Sequence, residues 1–339
     1  MASGRAAVRR AGSGGLDRVS DTGHKLLSPR YWPSWLGIGL LRALGLLPYP
    51  VLWALGTGLG RLAYYLAGSR RRVARRNLEI CFPDLSPGER SRLLHRHFGH
   101  LGAAIVTQGV VWNASRERLR RLVRVVGREQ VDACIANGRP VIHLVPHFVG
   151  LELGAIGFSV LVHPGSYMYQ RLRDPVFDAQ VLRARNRFGG RPIERQEDLR
   201  RIIREIKGGT PFFYLPDQNA GRRQGVFVPF CGLAASTVPM LSRFARLTGA
   251  LVIPTYARYL PWGRGLELIF DPPLEPFPSD DPVADTAFMN RVIEARMRTM
   301  PEQYFWVHRR FKTRPPGEPA VYADQGRRGT VGLEEGEGA

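Results

Sequence analysis

The chain has 339 residues, 44% of them hydrophobic, which is enough apolar material for a sizeable core and excludes a disordered chain. Its formal charge of +20 rests on arginine, with Lys25, Lys207 and Lys312 the only lysines, and favours anionic partners: nucleic acid, phospholipid headgroups or an acidic carrier protein. Cys81, Cys134 and Cys231 are far apart, odd in number and without a CxxC, which argues against a disulfide framework or thiolate zinc site and for plain thiols in a reducing, cytoplasmic setting.

Residues 1–30 are polar, basic and glycine-containing, a flexible arm without the pattern of a cleavable signal peptide. The apolar stretch from Trp35 to Ala67 is interrupted by Pro48 and Pro50 into runs of 13 and 17 residues. Each is short of the roughly 20 that span a bilayer. Arg18, Lys25 and Arg30 precede the stretch, and Arg70, Arg71, Arg72, Arg75 and Arg76 follow it, whereas the positive-inside rule retains only one side of a single span. With Trp32, Trp35, Tyr49, Trp53, Tyr64 and Tyr65 as interfacial aromatics, residues 31–68 read as a membrane anchor that dips into or lies on the bilayer, the basic stretch after Ala67 on the cytoplasmic face. A buried pair of core helices is the alternative.

Ser86-Pro87-Gly88-Glu89 forms a capping box with proline at the first helical position, predicting a helix to about Trp112. Its His95, His97 and His100, among arginines, suit a solvated or interfacial face better than a metal site. From about Arg139 short apolar runs alternate with amphipathic helices, the pattern of a mostly parallel sheet flanked by helices. Strands are expected at 141–145, 166–169, 211–215, 226–230, 251–259 and 266–270, and helices at 150–161, 175–188, 197–207, 238–248 and 281–298. Beyond Pro315 the Pro/Gly-rich sequence reads as a disordered tail, 315–339.

The segment from Pro146 to Glu152 holds a histidine and a carboxylate five residues apart. Within one helix they would point roughly 140° apart. With His147 in a loop and Glu152 in the first turn of the next helix they can converge, Glu152 fixing the imidazole while His147 takes a proton from an alcohol. The spacing alone also fits a loop histidine beside an unrelated glutamate. His143 and His147 do not share a helix face and HExxH is absent, so a zinc hydrolase is disfavoured and His143 is expected to pack and hydrogen-bond within the sheet. No cofactor or metal is called for. A nucleic-acid binder would use the charge but needs no apolar anchor, and the stretch at 35–67 speaks against it.

The order of motifs resembles the lysophospholipid acyltransferase superfamily, with its H-x4-D/E box, and more narrowly the bacterial late acyltransferases of lipid A biosynthesis, the lauroyl/myristoyl transferases. The residues carrying the resemblance are Tyr31-Trp32 through Pro48-Tyr49-Pro50, Arg76-Asn77-Leu78-Glu79 through Pro83, His147 to Leu153, Tyr214-Leu215-Pro216-Asp217-Gln218, and Pro301-Glu302-Gln303-Tyr304-Phe305-Trp306 through Pro315. The match runs from about Tyr31 to Tyr322.

The resemblance implies a glycerol-3-phosphate acyltransferase-like α/β domain at 69–314, placed at the cytoplasmic side of the cell inner membrane. It would move a fatty acyl chain from acyl-acyl carrier protein to a hydroxyl of the Kdo-bearing tetra-acyl lipid A precursor, with His147 as general base and Glu152 its partner. The runner-up is the same fold acting on a lysophospholipid, ornithine lipid or other glycolipid. Asp217 falls in the third block, where it could orient an arginine or make polar contacts with substrate. In the second block the expected basic residue after Tyr169 is replaced by Gln170, and Arg171 stands one place later. A polyanionic glycolipid calls for several guanidinium contacts, for which Arg171, Arg222, Arg223, Arg309, Arg310 and Lys312 are the candidates.

Overall fold

The computed structural model describes residues 26–194 and 199–322. The apolar N-terminal stretch forms two helices, α1 (Trp32–Leu44) and α2 (Tyr49–Leu66), parted at Pro48, and the arginine-rich α3 (Gly68–Cys81) follows. None of the described helices is long and apolar enough to cross a membrane. The Ser86 capping box is present, its hydroxyl accepting from the Glu89 N–H and the Glu89 carboxylate accepting from the Ser86 N–H. The helix it opens, α4 (Pro87–Val106), ends at the buried Thr107 rather than at Trp112, and α5 (Gln108–Asn113) is a separate turn.

The remaining elements alternate: α6 (Arg116–Leu122), β1 (Val123–Val126), α7 (Arg128–Ala136), β2 (Val141–Leu144), α8 (Leu151–Leu161), β3 (Ser166–Tyr169), α9 (Pro175–Asn186), β4 (Arg191–Glu194), α10 (Leu199–Lys207) and β5 (Phe212–Tyr214). After these come α11 (Gly221–Gln224), the hairpin β6 (Val226–Phe230) and β7 (Leu233–Thr237), α12 (Leu241–Thr248), β8 (Leu251–Tyr259), β9 (Leu266–Phe270) and α13 (Pro282–Thr299). The main sheet has the order β1-β9-β8-β2-β5-β3-β4 and is parallel throughout except where β8 meets β9. Apart from the short α11, the helices after 139 lie where the apolar periodicity predicts them. The strands β1, β4 and β7 and the helices α6 and α7 carry no such signal, being short and rich in charge or small residues.

Alternate strand residues feed two cores, as the period of two requires. Ile142, Leu144, Phe212, Val252 and Tyr256 face one, with Leu78 of α3, Phe98 of α4 and Ile293 of α13. Val141, Ile253, Ala257, Leu266 and Leu268 face the other, with Leu52 of α2 and Leu153 of α8. His143 stays within the sheet as expected, buried, with Nδ1 at 2.8 Å from Thr255 Oγ1 and its ring stacked on Phe213.

Helices α2 and α4 meet along a seam of small residues. A methyl group on Gly102 would collide with the Gly56 carbonyl oxygen and the Gly60 backbone, and one on Gly60 with the Phe98 carbonyl. Only glycine lets the two backbones approach this closely, and the seam holds α2 against the rest of the molecule with Leu55, Leu59, Leu62 and Leu66 turned outward.

Three expectations need correction. Cys81 and Cys231 are not separate thiols: they form a disulfide, with Cα atoms 4.8 Å apart, between the end of α3 and the β6–β7 turn, and Cys134 alone is free. The two are 150 residues apart in sequence, so nothing local announces the pairing. His97 and His100 are not solvated: His97 is fully buried with Nδ1 at 3.0 Å from the Glu302 carbonyl, and His100 packs edge-on against Trp53. The tail does not begin at Pro315, because the Tyr322 hydroxyl accepts from the Phe311 N–H and donates to Asn77 Oδ1. Residues 1–25 of the arm expected at 1–30, and residues 323–339 of the tail expected at 315–339, lie outside the described residues.

Candidate active site

Parallel β2 and β5 are neighbours, with Leu144 in register with Tyr214, so the loops leaving their carboxyl ends emerge side by side. One loop carries His147 and the other Asp217. Open α/β sheets place their ligands outside the carboxyl ends of the strands for this reason. His147 Nδ1 lies 2.6 Å from Asp217 Oδ1, and Asp217 Oδ2 accepts the His147 backbone N–H at 2.8 Å. The Asp217 side chain is 1% exposed and that of His147 23%, so the carboxylate is sealed behind the ring while the ring reaches an open groove.

Burial alone would lower the His147 pKa, but the charge of Asp217 and its hydrogen bond outweigh it, so the imidazole titrates above its ordinary 6.5. The field of Glu152 adds to the rise and that of Arg185 opposes it. Burial would raise the Asp217 carboxyl, but His147 and its two hydrogen bonds hold it below the usual 3.8. An aspartate fixed as the anion on Nδ1 keeps the Nδ1–H tautomer and leaves Nε2 as the basic atom.

Glu152 sits in the first turn of α8 and lines the groove with His147, as the loop-and-helix reading requires. Its hydrogen bonds go elsewhere: Arg185 of α9 donates to it through Nε at 3.1 Å and through Nη2. The expected role of orienting the imidazole is therefore filled by Asp217, because the carboxylate of Glu152 is turned toward a guanidinium. Arg185 is the residue that sequence reasoning missed. It lies among the arginines of a helix, and only the fold shows that this one points inward.

The groove has a volume of about 1020 Å³ and runs from His147, Glu152 and Arg185 past Tyr169, Gln170 and Phe177 to Leu59 and Ile105 on the outer faces of α2 and α4. Its wall is mainly apolar. Of the expected substrate-binding arginines, Arg171 is exposed and paired with Glu194 at 2.8 Å, Arg222 is exposed on α11, and Arg309 is half-buried; none of the three lines the groove. The second-block position that does is Gln170.

Arg310 is not a surface ligand at all. It is buried, donating to the Ser236 carbonyl at 2.7 Å, to Thr237 Oγ1 at 2.6 Å and to the Gln218 carbonyl at 3.2 Å, so it pins the loop of Asp217 to the β6–β7 hairpin. Around it the segment from Gln303 to Thr313 is tied down at each step. Asn77 Nδ2 donates to the carbonyls of Trp306 and His308, the Phe305 N–H to the His147 carbonyl, and the Asn219 N–H to His308 Nε2. Burial lowers the His308 pKa to about 4, which keeps it the neutral acceptor this last bond needs.

A base held in one tautomer by a buried carboxylate, at the carboxyl edge of a mostly parallel sheet and open to an apolar groove, defines an α/β enzyme suited to proton transfer on a lipid substrate. The profile of the family described as bacterial lipid A biosynthesis acyltransferase matches residues 21–313. Among curated proteins the chain is 39% identical over 298 residues to the lipid A biosynthesis lauroyltransferase of Escherichia coli K12, covering 88% of this chain and 97% of that one. It is 36% identical to the palmitoleoyltransferase of the same organism, over 88% and 97%, and 30% identical to its myristoyltransferase, over 87% and 91%. The chain belongs to the bacterial lipid A biosynthesis acyltransferases.

Proposed function

We propose that the chain transfers a fatty acyl group, lauroyl or similar, from acyl-acyl carrier protein to a hydroxyl of the Kdo-bearing tetra-acyl lipid A precursor, at the cytoplasmic face of the inner membrane. The observation that carries this reading is the His147–Asp217 pair at the head of an apolar groove that runs out between the exposed leucines of α2 and the exposed Ile105 of α4. A lipid hydroxyl can reach the base from the bilayer side without its chains leaving an apolar surface.

In the reaction His147 Nε2 takes the proton as the acceptor oxygen attacks the thioester carbonyl. The tetrahedral intermediate collapses with loss of the carrier thiolate, and the imidazolium returns the proton to that sulfur. Asp217 orients the ring and balances its transient charge. Arg185, held by Glu152 through Nε and Nη2, keeps Nη1 without a hydrogen-bond partner among the described residues and can offer it to the thioester oxyanion or to an anionic group of the acceptor. The exposed apolar residues of α1 and α2 support a membrane-surface location, and the arginines on α3 support docking of the acidic carrier protein.

The test is to incubate the purified chain with the tetra-acyl precursor and acyl-acyl carrier proteins of different chain length. The product should gain one acyl chain in its mass spectrum, and lipid A from cells lacking the gene should lack that chain. An unchanged lipid A together with transfer to a lysophospholipid or ornithine lipid would move the acceptor to another class.

A further inference from the structure

Helix α2 is a ridge between two hollows. Its exposed Val51, Leu55, Leu59, Leu62 and Leu66 recur at the spacing of one helical face. On one flank lies the groove of His147. On the other is a separate cleft of about 490 Å³ between α2, α4 and the turn at Pro261–Gly263. Nothing in the acyl-transfer mechanism uses it.

The chemistry of this cleft is that of an anion site. Arg61 of α2 and Arg96 of α4 line it, both exposed, and among the described residues neither forms an ion pair with a carboxylate, Glu302 of the same cleft included. Thr57 Oγ1 and His100 Nδ1, also in its lining, are buried and have no hydrogen-bond partner among the described residues. Buried polar atoms in native proteins are seldom left so. Burial and then the fields of Arg96 and Arg61 lower the His100 pKa to about 4, so both guanidinium charges reach the floor of the cleft.

The rim is built for an interface. Trp262 is 84% exposed and held at φ 60°, a left-handed conformation that is rare for a bulky residue. It is kept there because Gly263, also left-handed, is pressed against Pro50 and Trp53 so closely that a methyl group would stand 2.7 Å from Pro50 Cα. An indole fixed outward beside a leucine ridge belongs at the headgroup level of a bilayer.

We infer that this cleft binds the phosphate of an anionic glycerophospholipid, with Arg61, Arg96, Thr57 and His100 around the headgroup and the acyl chains lying along the leucines of α2 beside Trp262. The bound lipid is a fixed element of the docking surface on the side of α2 away from His147, and it sets the ridge at the depth where the catalytic groove opens to the bilayer. The inference deepens the membrane-surface reading of the previous section.

The experiment is co-flotation of the purified full chain, without acyl substrates, on phosphatidylcholine vesicles with and without phosphatidylglycerol. Three proteins are compared: the unaltered chain, the double variant Arg61→Gln/Arg96→Gln, and a charge-matched control, Arg72→Gln/Arg75→Gln, on the exposed face of α3. Loss of two charges at a specific headgroup site should weaken binding to the anionic vesicles about thirtyfold, while the control changes less than about threefold. Brominated phosphatidylglycerol should quench the unaltered chain more than Trp262→Phe.

Equal losses in the two double variants would mean diffuse attraction and overturn the site. So would equal binding to neutral and anionic vesicles. Failure of the unaltered chain to float with either vesicle would instead sink the membrane-surface reading itself.

Discussion

Asp217 holds His147 at two points, one carboxylate oxygen on the ring at Nδ1 and the other on the backbone N–H of the same residue. The aspartate thereby fixes the position of the loop as well as the tautomer of the base.

Asp217→Asn should preserve the fold and lower kcat by about 10²–10⁴, the scale seen when an orienting carboxylate on a catalytic histidine becomes an amide. Steady-state kinetics on the purified variant, with circular dichroism to confirm folding, checks this. A variant within threefold of the parent would return the orienting role to Glu152.

The pH profile separates the two carboxylates further. His147 acts as a base only when neutral, and Asp217 is the main reason its pKa lies above 6.5. The acid limb of kcat/KM should therefore fall above pH 6.5 in the parent and move to lower pH in Asp217→Asn, whatever the residual rate. In Glu152→Gln the limb should move the same way but less, since Glu152 acts through space from a pair with Arg185.

Glu152 and Arg185 should behave as one unit. Glu152→Gln, Arg185→Gln and the double variant, assayed for kcat/KM, should show losses that do not add, with the double no worse than the poorer single by more than about threefold. Additive losses would mean that the two side chains serve separate steps.

Arg310→Met should unfold more readily than the parent. It leaves the Gln218 carbonyl without its guanidinium donor and takes a buried donor from the Ser236 carbonyl and the Thr237 hydroxyl, which keep only the longer bonds from the Ala220 N–H and Asn290 Nδ2. A loss of about 3 kcal/mol or more in denaturant unfolding is expected. By contrast Arg309→Met should lie within about 0.5 kcal/mol of the parent.

Gly102→Ala tests the seam of α2 and α4, where the added methyl meets backbone rather than a side chain that could swing away. A destabilisation of about 1–3 kcal/mol is expected, read as a lower melting temperature. Gly88→Ala, with open space around it, serves as the comparison.

The central strands of the sheet and most of its helices were legible because apolar periodicity is a local signal, and the Ser86 capping box was legible because its partners are three residues apart. His147 and Glu152 could be read as a pair of candidates for the same reason. What could not be read was where each one's hydrogen bonds go. Asp217 is 70 residues from His147 and reaches it only because β2 and β5 are adjacent. Arg185 and Arg310 look like their neighbours in an arginine-rich sequence, and burial by distant elements is what separates them from the solvated rest. The disulfide of Cys81 with Cys231 was hidden in the same way.

The hydrogen bonds from Asn77 to the carbonyls of Trp306 and His308, with that from Phe305 to His147, join an early helix, the catalytic loop and a segment near the end of the chain. A ribosome adds roughly 5–20 residues per second, so His147 emerges many seconds before Trp306. The base exists during that interval without the strap that backs it. The surroundings of His147 are therefore completed only after the segment from Gln303 to Thr313 has left the ribosome.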